Sequence, residues 1–176
     1  MLRMLVLGPA AVLVAVLVTA PAAMAEATVK ADFDLAWNGC WEGPNDEVPD
    51  WVGTIDIDGA AYDMVFFNLG DGRPPNQDLP EGSGAFIEIW AVYDGLEIAY
   101  DEECATETYE GDLVMWGHDA GVSDFDAKEY AMTGTIAEAF GDYADLAGES
   151  VAMSGTFTLD EETGAPLTAP GVLEIG

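Results

Sequence analysis

Residues 51–69 read WVGTIDIDGAAYDMVFFNL, and this stretch decides the fold class. On both sides of Asp58-Gly59 the apolar residues alternate with polar ones or form short runs, as they do in β-strands. Asp-Gly between two such runs is the strongest short-range hairpin signal, because the tight turn needs a positive φ at both central residues. We therefore predict a strand over residues 51–58 and an antiparallel partner over residues 60–69.

Turn signals of the same kind recur along the chain. Asp94-Gly95 predicts a second hairpin, between a strand over residues 86–93 and one over residues 96–100. Residues 70–84 contain three Pro and several Gly, which indicates a long exposed loop. No convincing amphipathic helix follows residue 25, and seven or eight strands are expected in mostly sequential order. The remaining predicted strands cover residues 112–117, 129–137 and 150–159.

A short motif recurs in these strands. WVGTI at 51–55 resembles MTGTI at 132–136 and MSGTF at 153–157, and Met115-Trp116-Gly117 is a partial fourth copy. Since alternate strand residues share a face, each copy places a Gly between two large apolar residues. Such a Gly leaves room for a neighbouring side chain or lets the strand bend, which indicates core geometry rather than binding. We predict a single antiparallel up-and-down β-barrel of about eight strands, with a β-sandwich as the alternative.

The first 25 residues have the pattern of a secretory signal peptide. Arg3 precedes an apolar stretch over residues 5–17, and Ala23-Met24-Ala25 fits the small-x-small cleavage pattern. A membrane anchor is the alternative. We expect residues 26–176 to form one secreted or periplasmic domain, with no membrane insertion after cleavage.

Two cysteines suit an exported protein. Cys40 and Cys104 are expected to form a disulfide, because disulfides persist outside the cytosol. The alternative is a pair of free thiols. A metal site built on them is not expected, since they are far apart in sequence and the chain has one His.

The charge balance is extreme. The chain has 34 Asp and Glu against 4 Lys and Arg, a formal net charge of -30, yet 50% of its residues are hydrophobic. Such a surface repels nucleic acid and anionic lipid, which excludes both as partners. The acids are spread over every segment, which favours adaptation to a saline environment over a local field for cations or a basic partner. The oligomeric state stays open.

Two segments resemble known barrel families. Phe33-Asp34-Leu35-Ala36-Trp37-Asn38-Gly39-Cys40-Trp41 resembles the opening of a lipocalin or related calycin barrel, with Gly39-Cys40-Trp41 as its G-x-W. The resemblance implies that Trp41 plugs one end of the barrel. Residues 141–148, GDYADLAG, resemble a segment of the allene-oxide-cyclase and dirigent barrels. Both resemblances imply a small antiparallel barrel, and neither carries a catalytic residue over to this chain.

Two residues are candidates for catalysis. His118 is the only histidine, and it has Asp119 beside it, so an acid–base role is conceivable. A nucleophilic triad is not indicated, because the chain has no G-x-S-x-G elbow. Glu88, between Ile87 and Ile89, would have a raised pKa if it faced the barrel interior. We expect it to point to water instead.

Carboxylates and tryptophans supply the remaining candidates. Asp119, Asp124 and Asp126 are the best place for Ca²⁺, which prefers oxygen ligands, although so acidic a chain forms such clusters by composition alone. Trp41, Trp90 and Trp116 are candidates to line an apolar pocket, or are simply core. No cofactor other than Ca²⁺ is indicated. We expect a non-catalytic protein that binds a small apolar or amphipathic ligand; the alternatives are an isomerase or cyclase on the same barrel, or a Ca²⁺-dependent structural protein.

Overall fold

The computed structural model describes residues 29–39, 48–73, 78–101, 104 and 106–176. The predicted signal peptide, Cys40 and Trp41 lie outside the described residues. A 3-10 helix covers Gly141–Leu146. The strands are β1 Val29–Trp37, β2 Trp51–Ile57, β3 Ala60–Asp71, β4 Ser83–Tyr100, β5 Thr106–Asp124, β6 Glu129–Ala139, β7 Ser150–Thr156, β8 Thr158–Leu159 and β9 Pro166–Ile175.

The strands form one closed sheet. Each strand from β1 to β7 pairs with the next, β7 pairs with β9, and β9 pairs with β1, all antiparallel. The short β8 adds to β9 outside this circuit. The predicted antiparallel barrel of eight strands is therefore confirmed, with one extra strand, and the sandwich is excluded. Among the described residues, no helix has the length and hydrophobicity that a membrane crossing requires.

The two Asp-Gly signals have different outcomes. Asp58 and Gly59 have φ of 55° and 84° and join β2 to β3, so this hairpin is confirmed. The hairpin predicted at Asp94-Gly95 is wrong, because β4 runs on to Tyr100. Residues on both sides of Gly95 pair with the same strand, β5, and the register shifts between Asp94 and Glu97. Here the positive φ of Gly95, 67°, serves a β-bulge instead of a turn.

The long β4–β5 hairpin covers part of the outside of the barrel. Beyond the bulge, Leu96 and Tyr109 pack on an outer cluster that includes Val65 and Phe67 of β3. The backbone N–H of Leu96 donates to Asp63 Oδ2 at 2.7 Å. Burial therefore occurs on both faces of this wall, and residues 64–67 form a continuous buried run instead of an alternating one.

Three of the recurrent glycines, Gly117, Gly134 and Gly155, leave room for the side chains of neighbouring strands. A Cβ at Gly117 would lie 2.5 Å from the Trp90 ring, and one at Gly155 would lie 2.5 Å from the Tyr130 hydroxyl. At Gly134 the added Cβ would meet the backbone and Cβ of Asp119. The motif thus lets a ring, a phenol and a carboxyl group lie across neighbouring strands inside the barrel.

The two ends of the barrel differ in filling. The end at which β1 starts and β9 finishes, called here the filled half, is packed with fully buried aliphatic side chains. The 3-10 helix lies against this half and adds Tyr143 and Leu146 to the same core cluster. Tyr143 also stacks edge-on against Tyr62, with ring centroids 6.0 Å apart. The fully buried residues of this half include Ile55, Ile57, Met115, Ile136, Val151, Leu173 and Ile175.

Candidate functional site

The opposite end of the barrel, called here the hollow half, encloses a cavity of about 310 Å³ that is partly open to solvent. The order of the inner-face residues along β4 shows how far the cavity reaches into the barrel. Phe86 and Glu88 line the cavity, whereas Trp90 and Val92, further along the same face, are fully buried in the core. The lining residues are Phe33, Leu35, Trp37, Trp51, Phe66, Asn68, Phe86, Glu88, Ser123, Phe125, Tyr130, Met132, Phe157, Leu159, Gly164, Pro166 and Ala169.

Aromatic rings make up much of the wall. Trp37 and Trp51 meet edge to face, with centroids 5.2 Å apart. Phe125 contacts both Phe86 and Phe157, with centroids 6.5 and 5.6 Å apart. Rings that brace one another in this way form a stiff apolar wall.

Four polar side chains interrupt that wall: Asn68, Glu88, Ser123 and Tyr130. The Tyr130 hydroxyl already donates to the Pro170 carbonyl at 3.2 Å. Within the described part of the chain, no Lys, Arg or His lines the cavity. The cavity is therefore an apolar chamber, and Glu88 is the one carboxylic acid among its described lining residues.

The expectation that Glu88 points to water is wrong: it is 5% exposed and faces the interior. Its flanking residue Ile87 is 40% exposed instead. The sequence misled because both faces of β4 are apolar, one through Ile87 and Ile89 and the other through Phe86 and Trp90. Trp90 is fully buried, and the two-residue period of a strand then takes Glu88 inside with it.

Asp119 stands beside Glu88 on the inner face. The two residues are register partners on β4 and β5, and Asp119 is 2% exposed. Both of its carboxyl oxygens are buried and have no hydrogen-bond partner among the described residues. Burial raises the pKa of Asp119 to about 8, because an apolar surrounding disfavours the charged form.

Asp50 completes an acid cluster, defined here as Asp50, Glu88 and Asp119. Asp50 Oδ2 accepts the backbone N–H of Asn68 at 2.6 Å, and Asn68 pairs with Glu88. Burial raises the pKa of Asp50 to about 7, against the lowering effect of that hydrogen bond. The pKa of Glu88 is raised well above its usual value, first by burial and then by the charges of Asp119 and Asp50. At neutral pH the cluster therefore retains protons that exposed carboxyls would lose.

His118 does not join this cluster. It lies on the outer face of β5 and is exposed, and its Nε2 is 3.4 Å from Thr135 Oγ1. Its sequence neighbour Asp119 points to the opposite face of the sheet. The structure thus separates the two candidate acid–base residues, Glu88 inside and His118 outside.

Asp119 is separated from the other two predicted Ca²⁺ ligands. Asp119 is inside the barrel, whereas Asp124 ends β5 and its Oδ1 accepts the N–H groups of Asp126 and Ala127 in the turn. Five strand residues place Asp119 and Asp124 about 17 Å apart. In the described ranges, no group of three His, Cys, Asp or Glu side chains could hold a metal ion.

Of the three predicted tryptophans, the structure describes Trp90 and Trp116, and these two lie in different places. Trp41 lies outside the described residues, as does Cys40, so the predicted disulfide to Cys104 stays a prediction. Trp90 is fully buried in the core, where its Nε1 has no hydrogen-bond partner among the described residues. Trp116 is on the outer wall, where its Nε1 donates to Glu138 Oε2 at 3.3 Å. Trp37 and Trp51 line the cavity instead.

Sequence reasoning missed four polar members of the site: Asp50, Asn68, Ser123 and Tyr130. Ser123 is inward because it pairs with Tyr130 across β5 and β6, and alternation along β5 from Gly117 would have found it. Asp50 carried no signal, since it precedes a strand and belongs to no motif.

No known protein family, curated protein or solved structure matches this chain. The closed eight-stranded barrel is compatible with a calycin-like architecture.

Proposed function

We propose that this protein binds a small apolar or amphipathic ligand in the cavity of the hollow half, without catalysis, outside the cytosol. The observation that carries the proposal is a cavity of about 310 Å³ inside a barrel whose other half is filled. Ligand pockets usually span about 300–1,000 Å³ and combine an apolar wall with a few polar groups. The volume of this cavity lies at the lower end of that range, and its lining is of the same kind.

The chemistry of the wall favours an apolar ligand body. Phe33, Phe66 and Met132 contribute rings or thioether to it, and the braced pair Trp37–Trp51 adds two indoles. An apolar molecule that replaces water there gains roughly 25 cal/mol per Å² of apolar surface buried. The polar groups, Glu88 above all, would orient one polar end of the ligand.

A second function has one observation in its favour. A carboxylic acid held protonated in an apolar cavity can act as a general acid, and the burial of Glu88 raises its pKa. An isomerase or cyclase on this barrel would use Glu88 in that role. Because His118 lies outside, such an enzyme would use Glu88 and Tyr130 for proton transfer among the described residues that line the cavity.

The test is a fluorescence titration with the neutral apolar probe N-phenyl-1-naphthylamine. Ala169 lines the cavity and is 6% exposed, so Ala169→Phe would occupy part of it. Leu167, on the same strand but 47% exposed, provides the matched control Leu167→Phe. We expect the probe to bind the wild type and the control, and to bind Ala169→Phe at least tenfold more weakly.

Equal binding by all three proteins would overturn the proposal, because the probe would then be on the surface. Native mass spectrometry of protein purified from its own host would show whether a ligand copurifies. If that ligand is converted to an isomer on incubation, and Glu88→Gln abolishes the conversion, the enzyme replaces the binding protein as the conclusion.

A further inference from the structure

We infer that the cavity takes a ligand whose apolar body carries a protonated amine, and that Glu88 binds this amine with Asp119 as a second carboxyl group beside it. This inference rests on the proposed function and names the ligand class for the same site. It depends on three features of the hollow half, each independent of the acidic surface.

The first feature is the position of the two acids. Glu88 reaches the cavity wall, and Asp119 is its direct partner on the adjacent strand. In antiparallel sheets such partners have Cβ atoms about 4.5–5.5 Å apart. One ammonium group can therefore contact Glu88 while it stays within a few ångströms of Asp119.

The second feature is the unused bonding capacity of Asp119. A buried carboxyl group without hydrogen bonds is costly, and buried polar groups are nearly always satisfied. Yet both oxygens of Asp119 are buried without a partner among the described residues. Gly134 opposite gives the Asp119 side chain the space to lie there. A cation arriving from the cavity supplies the missing electrostatic partner.

The third feature is the absence of any cation in the described part of the site. The groups that face Glu88 are Asp119 from β5, Tyr130 from β6, Asn68 from β3 and Asp50 ahead of β2. All of them are acidic or neutral. Burial raises the pKa of Tyr130, and the charge of Glu88 raises it further. A carboxylate or phosphate ligand would add to this repulsion, whereas an ammonium would relieve it.

Binding of an ammonium would favour the ionised carboxyl and release a proton to solvent. Free Glu88 keeps its proton to higher pH than an exposed Glu, because burial and the neighbouring acids raise its pKa. The amine enters as R–NH₃⁺, the carboxyl loses H⁺ to buffer, and the complex contains the pair R–NH₃⁺ and carboxylate. A neutral ligand of the same shape would release no proton.

The experiment compares 1-naphthylmethylamine with 1-naphthalenemethanol, which differ in the ammonium against the hydroxyl group. Isothermal titration calorimetry at pH 7.5, in two buffers of different ionisation enthalpy, gives affinity and proton release together. We expect the amine to bind about tenfold or more tightly than the alcohol, the factor that a hydrogen bond to a charged group typically supplies. We also expect proton release with the amine alone.

Variants separate the site from the general field of the protein. Glu88→Gln should bring the amine to the affinity of the alcohol and leave the alcohol within about threefold, since Gln keeps the shape and fills the same space. Asp119→Asn should lower the amine affinity less. Glu97→Gln removes the same charge from an exposed position on the same strand and should change neither. The amine preference should persist in 1 M NaCl, which screens surface charges but not buried ones.

Equal affinity for amine and alcohol in the wild type would overturn the amine inference and leave apolar ligand binding intact. The same conclusion would follow if Glu88→Gln kept the preference, or if Glu97→Gln lost it. If neither naphthyl compound binds, both the inference and the proposed function fail.

Discussion

The filled half and the hollow half of the barrel are built from the same strands. They differ in the side chains that those strands direct into the interior. In the filled half, aliphatic residues such as Ile57 and Leu173 interdigitate, and the 3-10 helix adds Leu146 from outside. In the hollow half, rings such as Trp51 and Phe157 stay at the wall. An eight-stranded barrel is just wide enough for side chains to fill, so branched residues that reach the axis close it and braced rings leave it open. Tight packing is therefore concentrated at one end and the cavity at the other.

The largest effect should come from equal truncations in the two halves. Leu173 is fully buried in the filled half, whereas Leu35 borders the cavity. Leu173→Ala should lower the free energy of unfolding by about 4 kcal/mol, and Leu35→Ala by about 2 kcal/mol, because the cost rises with the new empty volume and lost contacts. Chemical denaturation with matched m-values would measure both. If the two variants lose equal stability, the division into a filled and a hollow half is mistaken.

A smaller effect concerns pH and the acid cluster. The pKa of Asp119 is raised to about 8 in the folded protein, so between pH 4 and pH 8 the folded state holds a proton that the unfolded state has lost. Stability from this group is present below the unfolded pKa and is lost as the pH rises through about 8. Asp119→Asn should therefore be more stable than wild type at pH 8 by about 2 kcal/mol. This gain is smaller than the whole pKa shift would give at ~1.4 kcal/mol per pKa unit.

The difference between Asp119→Asn and wild type should become small at pH 3, below the ordinary Asp pKa of 3.8, where the carboxyl is mostly protonated in both states. Thermal unfolding at pH 3, 6 and 8 would follow it. The control is Asp124→Asn, since Asp124 is an exposed turn residue and should show no such pH-dependent gain. A gain that is the same at every pH would contradict a buried, proton-holding acid in the hollow half.

Salt should act on the outside of both halves alike. With a formal net charge of -30, self-repulsion destabilises the compact state, and concentrated salt screens it. Wild type should gain on the order of 1 kcal/mol between 0.1 M and 2 M NaCl, and the gap between Leu173→Ala and Leu35→Ala should stay unchanged. A fold equally stable at low and high salt would count against the saline interpretation of the acidic surface.

The smallest effect should come from the ion pair at the filled end. Lys30 Nζ lies 3.2 Å from Glu174 Oε1, and both side chains are well exposed. Lys30→Met should change the free energy of unfolding by less than about 1 kcal/mol, because exposed ion pairs contribute little. Thermal melts of Lys30→Met and Glu174→Gln would check this. A loss as large as that of Leu173→Ala would show that charge, not packing, holds the filled end together.

Local signals predicted the fold where neighbours in sequence are also neighbours in the sheet. Asp58-Gly59 makes its turn because the strands on both sides pair with each other. Asp94-Gly95 carries the same signal, yet both of its flanks pair with β5, so the partner strand and not the dipeptide decided the outcome. The strand β9 escaped detection because Pro166 and Pro170 interrupt its pattern. Its pairing with β1, which closes the barrel, joins the two ends of the described chain.

Candidate residues for the site were harder to predict than strands. Glu88 was singled out, but its direction was wrong, since both faces of β4 are apolar. Asp119 is one of the three predicted Ca²⁺ ligands, yet it lies inside the barrel. Its neighbours in sequence, Asp124 and Asp126, give no indication of this burial. The burial of Asp119 depends on its partners Glu88 and Gly134 on other strands.

The sequence by itself determined the all-β class, the inward glycines of the repeated motif and the anionic exterior, because these follow from backbone preference, two-residue alternation and composition. Only the tertiary structure decided that β1 meets β9, that Glu88 and Asp119 share one level of the interior, and that one half of the barrel is hollow. Those features depend on register between distant strands and on the summed volume of side chains that share one interior. Neither quantity is a property of any single stretch of the chain.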